Sequence, residues 1–106
     1  VFLGHLPTLD GSLRGWLGVL DDLTARHASR VVMGHGPAAA SWPEAAAPTR
    51  AYLEGLAEAA RAAIAAGEPI LAATRAMARD VPPGWALADR FAERNATAAF
   101  RELEWE

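Results

Sequence analysis

The sequence contains no cysteine among its 106 residues, which excludes disulfide bridges, thiolate zinc clusters and a cysteine nucleophile. Any metal ion would therefore be bound by His, Asp or Glu side chains. Lysine is also absent: the ten basic residues are all arginines, they are scattered along the chain, and the formal net charge is −3. Because this distribution forms no basic patch, we expect no nucleic-acid partner.

Long apolar runs are missing too, so we expect no membrane span. The sequence has no P-loop, no dinucleotide-binding fingerprint and no Gly-x-Ser-x-Gly elbow, which removes three common kinds of enzyme site. The composition, 52% hydrophobic and 22% charged, is that of a globular chain. Its length predicts one domain or a part of one.

One local pattern carries chemistry. An apolar run at residues 31–33 ends at Gly34, His35 and Gly36. The run predicts a short buried strand near 30–34, and the two glycines free the backbone on both sides of the imidazole. A strand that presents a histidine at its end is typical of metal and acid–base sites. The alternative is a glycine-rich turn with a surface histidine.

A second apolar run at residues 1–5 predicts another short strand, which ends at His5. If the two strands lie side by side, His5 and His35 face the same cleft, with Asp10 on a neighbouring loop. His5, Asp10, Gly34 and Gly36 are therefore possible cleft or ligand-supporting residues. His5 is better explained as a cleft-wall or strand-end residue than as a ligand, and no residue is assigned a catalytic role.

The remainder of the chain is predicted to be helical, because apolar residues recur at helical spacing. The expected signals are a cap at Asp10 or Ser12 before a helix from Leu13, a capping box at Ser41 and Glu44, a helix from Pro48 to Gly67, a helix after Pro69, and a last helix capped by Asn95. Trp105, next to the end of the sequence, is expected to be docked. Residues 1–37 are thus expected to be α/β and residues 38–106 helical, within a single partial domain 1–106. Because residue 1 already lies in an apolar run and is not methionine, we expect the chain to be the later part of a longer protein.

Three stretches together resemble a known family: 31–37 (VVMGHGP), 6–17 (LPTLDGSLRGWL) and 94–106 (RNATAAFRELEWE). The first resembles the late Gly-His-Gly ligand motif of the metallo-β-lactamase superfamily. Taken in order, the three resemble the quinoprotein relay system zinc metallohydrolases, a bacterial group within that superfamily.

This resemblance implies an α/β chain forming the C-terminal part of an αββα sandwich. It implies that His35 is a ligand in a dinuclear zinc site of a hydrolase, which would cleave an ester, thioester or amide-type bond of a small-molecule substrate with zinc-bound hydroxide. The N-terminal part of the same fold would be the first partner, and a bacterial, periplasmic location follows from the family. The superfamily's His-x-His-x-Asp-His motif, which supplies most ligands, does not occur here, so the isolated chain is expected to be inactive.

Two further expectations concern association. Half of a sandwich would leave apolar strand residues uncovered, which predicts a possible homo-oligomer. The alternative function is a non-catalytic helical binding or assembly module, whose interface would use the aromatic residues Trp42, Tyr52, Trp85 and Trp105.

Overall fold

A computed structural model describes all 106 residues. Four α-helices make up most of the chain: α1 (Leu13–Thr24), α2 (Ala47–Ala65), α3 (Ile70–Met77) and α4 (Ala88–Leu103). Two short strands, β1 (Arg30–Val31) and β2 (Ala40–Ser41), lie between α1 and α2, and a 3-10 turn at Glu44–Ala46 leads into α2. None of the four helices has the length and apolar character needed to cross a bilayer, which confirms the predicted absence of a membrane span.

The α/β expectation, with an αββα half-sandwich, is wrong. The only sheet is the antiparallel pair β1–β2, in which Arg30 lies opposite Ser41 and Val31 opposite Ala40. Residues 1–5 do not form a strand, because their two bridges, Phe2 to His35 and His5 to Ala86, are isolated. A strand needs a continuous ladder of hydrogen bonds, and single bridges to two different segments do not provide one.

The strand predicted near 30–34 is correspondingly short and exposed. Only Arg30–Val31 is extended in a ladder, and Val32 is 81% exposed. The apolar run at 31–33 is therefore not a buried strand. A hairpin with two residues in each strand can be covered by the rest of the chain on one face at most. Val32, the middle residue of the apolar run, is therefore left in solvent.

The amphipathic stripes predicted the first three helices well. α1 begins at Leu13 as predicted, and Ser12 is its N-cap, accepting a hydrogen bond from the Gly15 N–H at 3.0 Å. α2 begins at Ala47 with Pro48 in its first turn, and Gly67, with φ +68°, lies just beyond its end. α3 follows Pro69 directly.

Three local predictions are wrong. Ser41 belongs to β2 and does not cap a helix, so the capping-box pattern with Glu44 is coincidental. The last helix starts at Ala88, and Asn95 lies in its interior rather than at its cap. Trp105 is 84% exposed, although the neighbouring Glu106 carboxylate is held by Arg61 at 2.7 and 2.9 Å.

The main hydrophobic core joins most elements of the chain, and a smaller cluster of Ala63, Ala73 and Phe100 lies apart from it. The main core takes side chains from the N-terminal segment, from α1, α2 and α4, and from the end of α3, including Phe2, Leu6, Leu13, Leu53, Met77 and Leu103. Alanines on α2 and α4 (Ala57, Ala60, Ala96, Ala99) are almost fully buried, which lets the backbones of these two helices approach closely. The core therefore fixes the N-terminal segment against the helices.

The carboxylate of Glu102, near the end of α4, binds the N-terminus of α1 by hydrogen bonds. Glu102 accepts hydrogen bonds from the Leu13 N–H at 2.6 Å, the Ser12 hydroxyl at 2.8 Å and the Arg14 N–H at 3.3 Å. The Leu13 and Arg14 N–H groups are free amides of the first turn of α1, where a negative charge also complements the helix dipole. Burial alone would raise the pKa of Glu102, but the hydrogen bonds outweigh it and the pKa is lowered from 4.5.

Candidate functional site: the His5 and His35 pair

His35 lies in the turn after β1 and is bound to the N-terminal segment through its backbone. The Leu3 N–H donates to the His35 carbonyl at 3.3 Å, and Phe2 and His35 form an isolated parallel bridge. Gly36 makes this approach possible: its φ is +119°, and a Cβ there would lie 2.8 Å from the Leu3 carbonyl oxygen. Gly36 thus supports the site through its backbone.

The N-terminal segment is itself held rigidly by Thr49 of α2. The Thr49 hydroxyl accepts from the Phe2 N–H at 3.1 Å and donates to the Phe2 carbonyl at 2.9 Å, with Thr49 only 1% exposed. The Phe2 ring packs edge-on against three other aromatic rings, Trp16, Tyr52 and Trp85. The residues that precede His5 therefore have little freedom to move.

His5 is anchored on its other side to the loop before α4. The Leu6 N–H donates to the Ala86 carbonyl at 2.9 Å, and the Ala86 N–H donates to the Gly4 carbonyl at 2.9 Å. Three segments that are distant in sequence meet here: the N-terminal segment, the turn after β1 and the loop before α4.

This meeting stacks the two imidazoles. The ring centroids of His5 and His35 are 4.7 Å apart and the ring planes are 10° from parallel. His35 is exposed and His5 is half-buried. The two histidines that the sequence placed conditionally in one cleft are thus adjacent.

The other predicted site residues lie differently. Asp10 is exposed, and its carboxylate pairs with Arg94 at 3.4 Å. Gly34 flanks His35, but nothing lies within 4 Å of the position that its Cβ would occupy. His27, the third histidine, is exposed after the end of α1. None of these residues adds a ligand to the imidazole pair.

The chain by itself does not make a metal site. No group of three or more His, Asp or Glu side chains is arranged to hold an ion. The lone pair of an imidazole nitrogen lies in the ring plane, and two nearly parallel stacked rings share no plane in which one ion could meet both lone pairs. As placed, at most one of the two histidines could bind a given ion, and a catalytic zinc needs three protein ligands.

His5 carries an unusual polar atom. Its Nδ1 is buried and has no hydrogen-bond partner, the only buried side-chain nitrogen or oxygen atom of which this is true. Its Nε2 takes part in no hydrogen bond and is not among the buried unpartnered atoms, so it reaches solvent. The ring is therefore turned with one nitrogen inward and one outward.

Sequence reasoning missed the buried polar residues that support the site. Asn95 is 1% exposed and binds the loop that follows His5: its Oδ1 accepts from the Leu9 N–H at 2.7 Å, and its Nδ2 donates to the Pro7 carbonyl at 2.9 Å. Nδ2 also donates to the Tyr52 hydroxyl at 3.1 Å. Burial raises the pKa of Tyr52, and the hydrogen bond from Asn95 partly offsets this. The available signal was a polar asparagine among the apolar residues of a helical stripe, which indicates a buried hydrogen-bonding side chain. The sequence instead predicted a helix cap at Asn95.

Comparison of the chain with protein-family models, with curated proteins and with solved structures returned no match.

Proposed function

We propose that this chain supplies one metal-ligand histidine, His35, to a zinc-dependent hydrolase related to the metallo-β-lactamase superfamily. The remaining ligands of the dinuclear zinc site would come from a segment outside these residues. The substrate would be a small molecule with an ester, thioester or amide-type bond. The proposal rests on the resemblance of residues 31–37 to the Gly-His-Gly motif, and the observation that supports it is the setting of His35.

That setting suits a contributed ligand. The imidazole is exposed, its backbone is fixed by the contact of Gly36 with Leu3, and its ring is backed by His5. Because these contacts orient the ring before any ion arrives, little conformational entropy is lost on binding. A zinc ion bound there would supply Lewis-acid activation of a carbonyl and of water. This chain's part is to hold one nitrogen in place.

The test is the zinc content of the intact parent protein. We expect His35→Ala to remove one of the two zinc equivalents, while His27→Ala, a histidine exposed outside the site, leaves both. Elemental analysis after dialysis against metal-free buffer measures this. Unchanged zinc content in His35→Ala would refute the proposal.

The alternative, a helical binding module, has less support from the aromatic residues. Trp42 and Tyr52 are each 8% exposed and belong to the chain's own core, and Trp85 is half-buried against it. Of the four aromatic residues considered for an interface, Trp105 alone is largely free to contact a partner.

A further inference from the structure

We propose that His5 serves the same site as a hydrogen-bond donor through Nε2–H, binding an acceptor oxygen of the substrate, and not as a second metal ligand. The substrate class and the neighbouring metal depend on the proposed function. The assignment of the donor depends only on how the His5 ring is placed.

The first step is the position of the proton. A neutral imidazole has one N–H and one lone pair, on different nitrogens. In His5 the inner nitrogen, Nδ1, is buried without a partner. Buried polar groups without a partner are rare in folded proteins, and of the two nitrogens only Nε2 reaches solvent, where an N–H can donate to water. The proton therefore belongs on the outer nitrogen, Nε2.

The second step is what such a ring can bind. Metal coordination uses a lone pair, and in this tautomer the only ring lone pair of His5 is on the buried Nδ1. The nitrogen that reaches solvent carries a hydrogen and can only donate. Its partner must therefore be an acceptor, and in a hydrolase substrate the acceptors are carbonyl and carboxylate oxygens.

The third step is that His5 is fixed in this orientation. Its backbone is held between Gly4, Leu6 and the loop at Ala86, and one ring face is stacked on His35 at 4.7 Å. A donor fixed beside a ligand histidine can bind a substrate oxygen close to the metal without a rearrangement. His5 and His35 then have different tasks although they are the same residue type.

The first test reads the tautomer directly. In the 15N-labelled chain at about pH 8, where an unperturbed imidazole is neutral, long-range 1H–15N correlation spectra distinguish the two ring nitrogens of each histidine. We expect His5 to show a protonated Nε2 and an unprotonated Nδ1, with assignment by loss of its signals in His5→Gln. A protonated Nδ1 in His5 would overturn the proposal.

The second test uses two substitutions in the intact parent, with p-nitrophenyl acetate as the probe. His5→Phe keeps a flat ring to stack on His35 but has no donor. We expect kcat/KM to fall about tenfold, which is the effect of losing one hydrogen bond to a substrate oxygen that carries or develops negative charge. His5→Gln places an N–H near the position of Nε2 and should recover most of the loss. Zinc content should stay unchanged in both variants.

The outcomes separate the two proposals. Loss of zinc in His5→Phe would make His5 a ligand and refute the donor assignment, and so would an unchanged kcat/KM. If His35→Ala keeps its full zinc content while His5 shows the Nε2–H tautomer, the proposed metal role of His35 fails but the donor assignment stands.

Discussion

Asn95 offers the most direct test of how the site is supported, because it joins three parts of the chain with one side chain. Its amide binds the backbone of Pro7 and Leu9 in the loop after His5, and the hydroxyl of Tyr52 on α2. Asn95 is 1% exposed, so water does not compete for these hydrogen bonds. We predict that Asn95→Ala is strongly destabilising.

The magnitude follows from the groups left behind. Asn95→Ala leaves two backbone groups, the Leu9 N–H and the Pro7 carbonyl, without a partner, and each costs about 1–3 kcal/mol, or about 4 kcal/mol together at the middle of that range. The better helix propensity of alanine offsets about 0.5 kcal/mol. We therefore expect the free energy of unfolding to fall by about 3–4 kcal/mol, a large part of the roughly 5–15 kcal/mol that stabilises a typical domain.

The neighbouring residue provides a matched control. Arg94 also joins α4 to the same loop, through an ion pair with Asp10 at 3.4 Å, but the two side chains are 63% and 80% exposed. An exposed ion pair contributes between about 0 and 1 kcal/mol. Urea unfolding of both variants, followed by far-ultraviolet circular dichroism, measures the contrast. If Asn95→Ala and Arg94→Ala lost similar stability, the argument from buried hydrogen bonds would be refuted.

Three other predictions concern glycine geometry and titration. Gly36→Ala should lower the free energy of unfolding by about 2 kcal/mol, because Gly36 has a φ of +119° and an added Cβ would collide with Leu3. Gly34→Ala should change it little, because an added Cβ there meets nothing within 4 Å, and thermal unfolding compares the two variants. Since the pKa of Glu102 is lowered on folding from 4.5, its stabilisation is present above that value and is lost as pH falls through the folded pKa; urea unfolding between about pH 7 and 3 should show a weaker acid dependence for Glu102→Gln. Tyr52 is the only tyrosine, so alkaline absorbance titration reports it alone, and its phenolate should form above the ordinary pKa of 10.0. Because that pKa is raised on folding, the stabilisation from Tyr52 is complete below 10.0 and is lost as pH rises through the folded value; titration at the ordinary pKa would contradict its burial.

The helices could be predicted from the sequence because each carries its own evidence. α1, α2 and α3 have apolar residues at helical spacing and clear end signals at Ser12, Pro48, Gly67 and Pro69. α4 was predicted to begin eight residues too late, with its cap at Asn95 and not at Leu87, because Asn95 has the residue type of a cap. Its actual role depends on the loop residues Pro7 and Leu9, which are far away in sequence. A single sequence does not reveal such a partner.

The strand predictions were wrong for a related reason. A strand is stable only when it pairs with a neighbouring strand. The apolar run at residues 1–5 makes only isolated bridges, and the run at residues 31–33 contributes one residue to a hairpin with two residues in each strand. The family resemblance therefore led to a wrong architecture for this chain. The sequence predicted that His5 and His35 would face one cleft if two strands lay side by side. The strand at residues 1–5 is absent, and the two rings are adjacent through the isolated bridge between Phe2 and His35.

The helical body and the histidine pair are thus linked through backbone contacts made by buried polar side chains. Thr49 holds Phe2, which is bridged to His35, while Asn95 holds the loop that follows His5. Both polar residues lie on helices, and both histidines lie on irregular segments that the helices position, an arrangement common for functional residues. Because each anchor also makes buried hydrogen bonds within the core, loss of either one should disturb the stacking of the two rings and lower the free energy of unfolding together. The stability of the helices and the geometry of the site are therefore coupled in this chain.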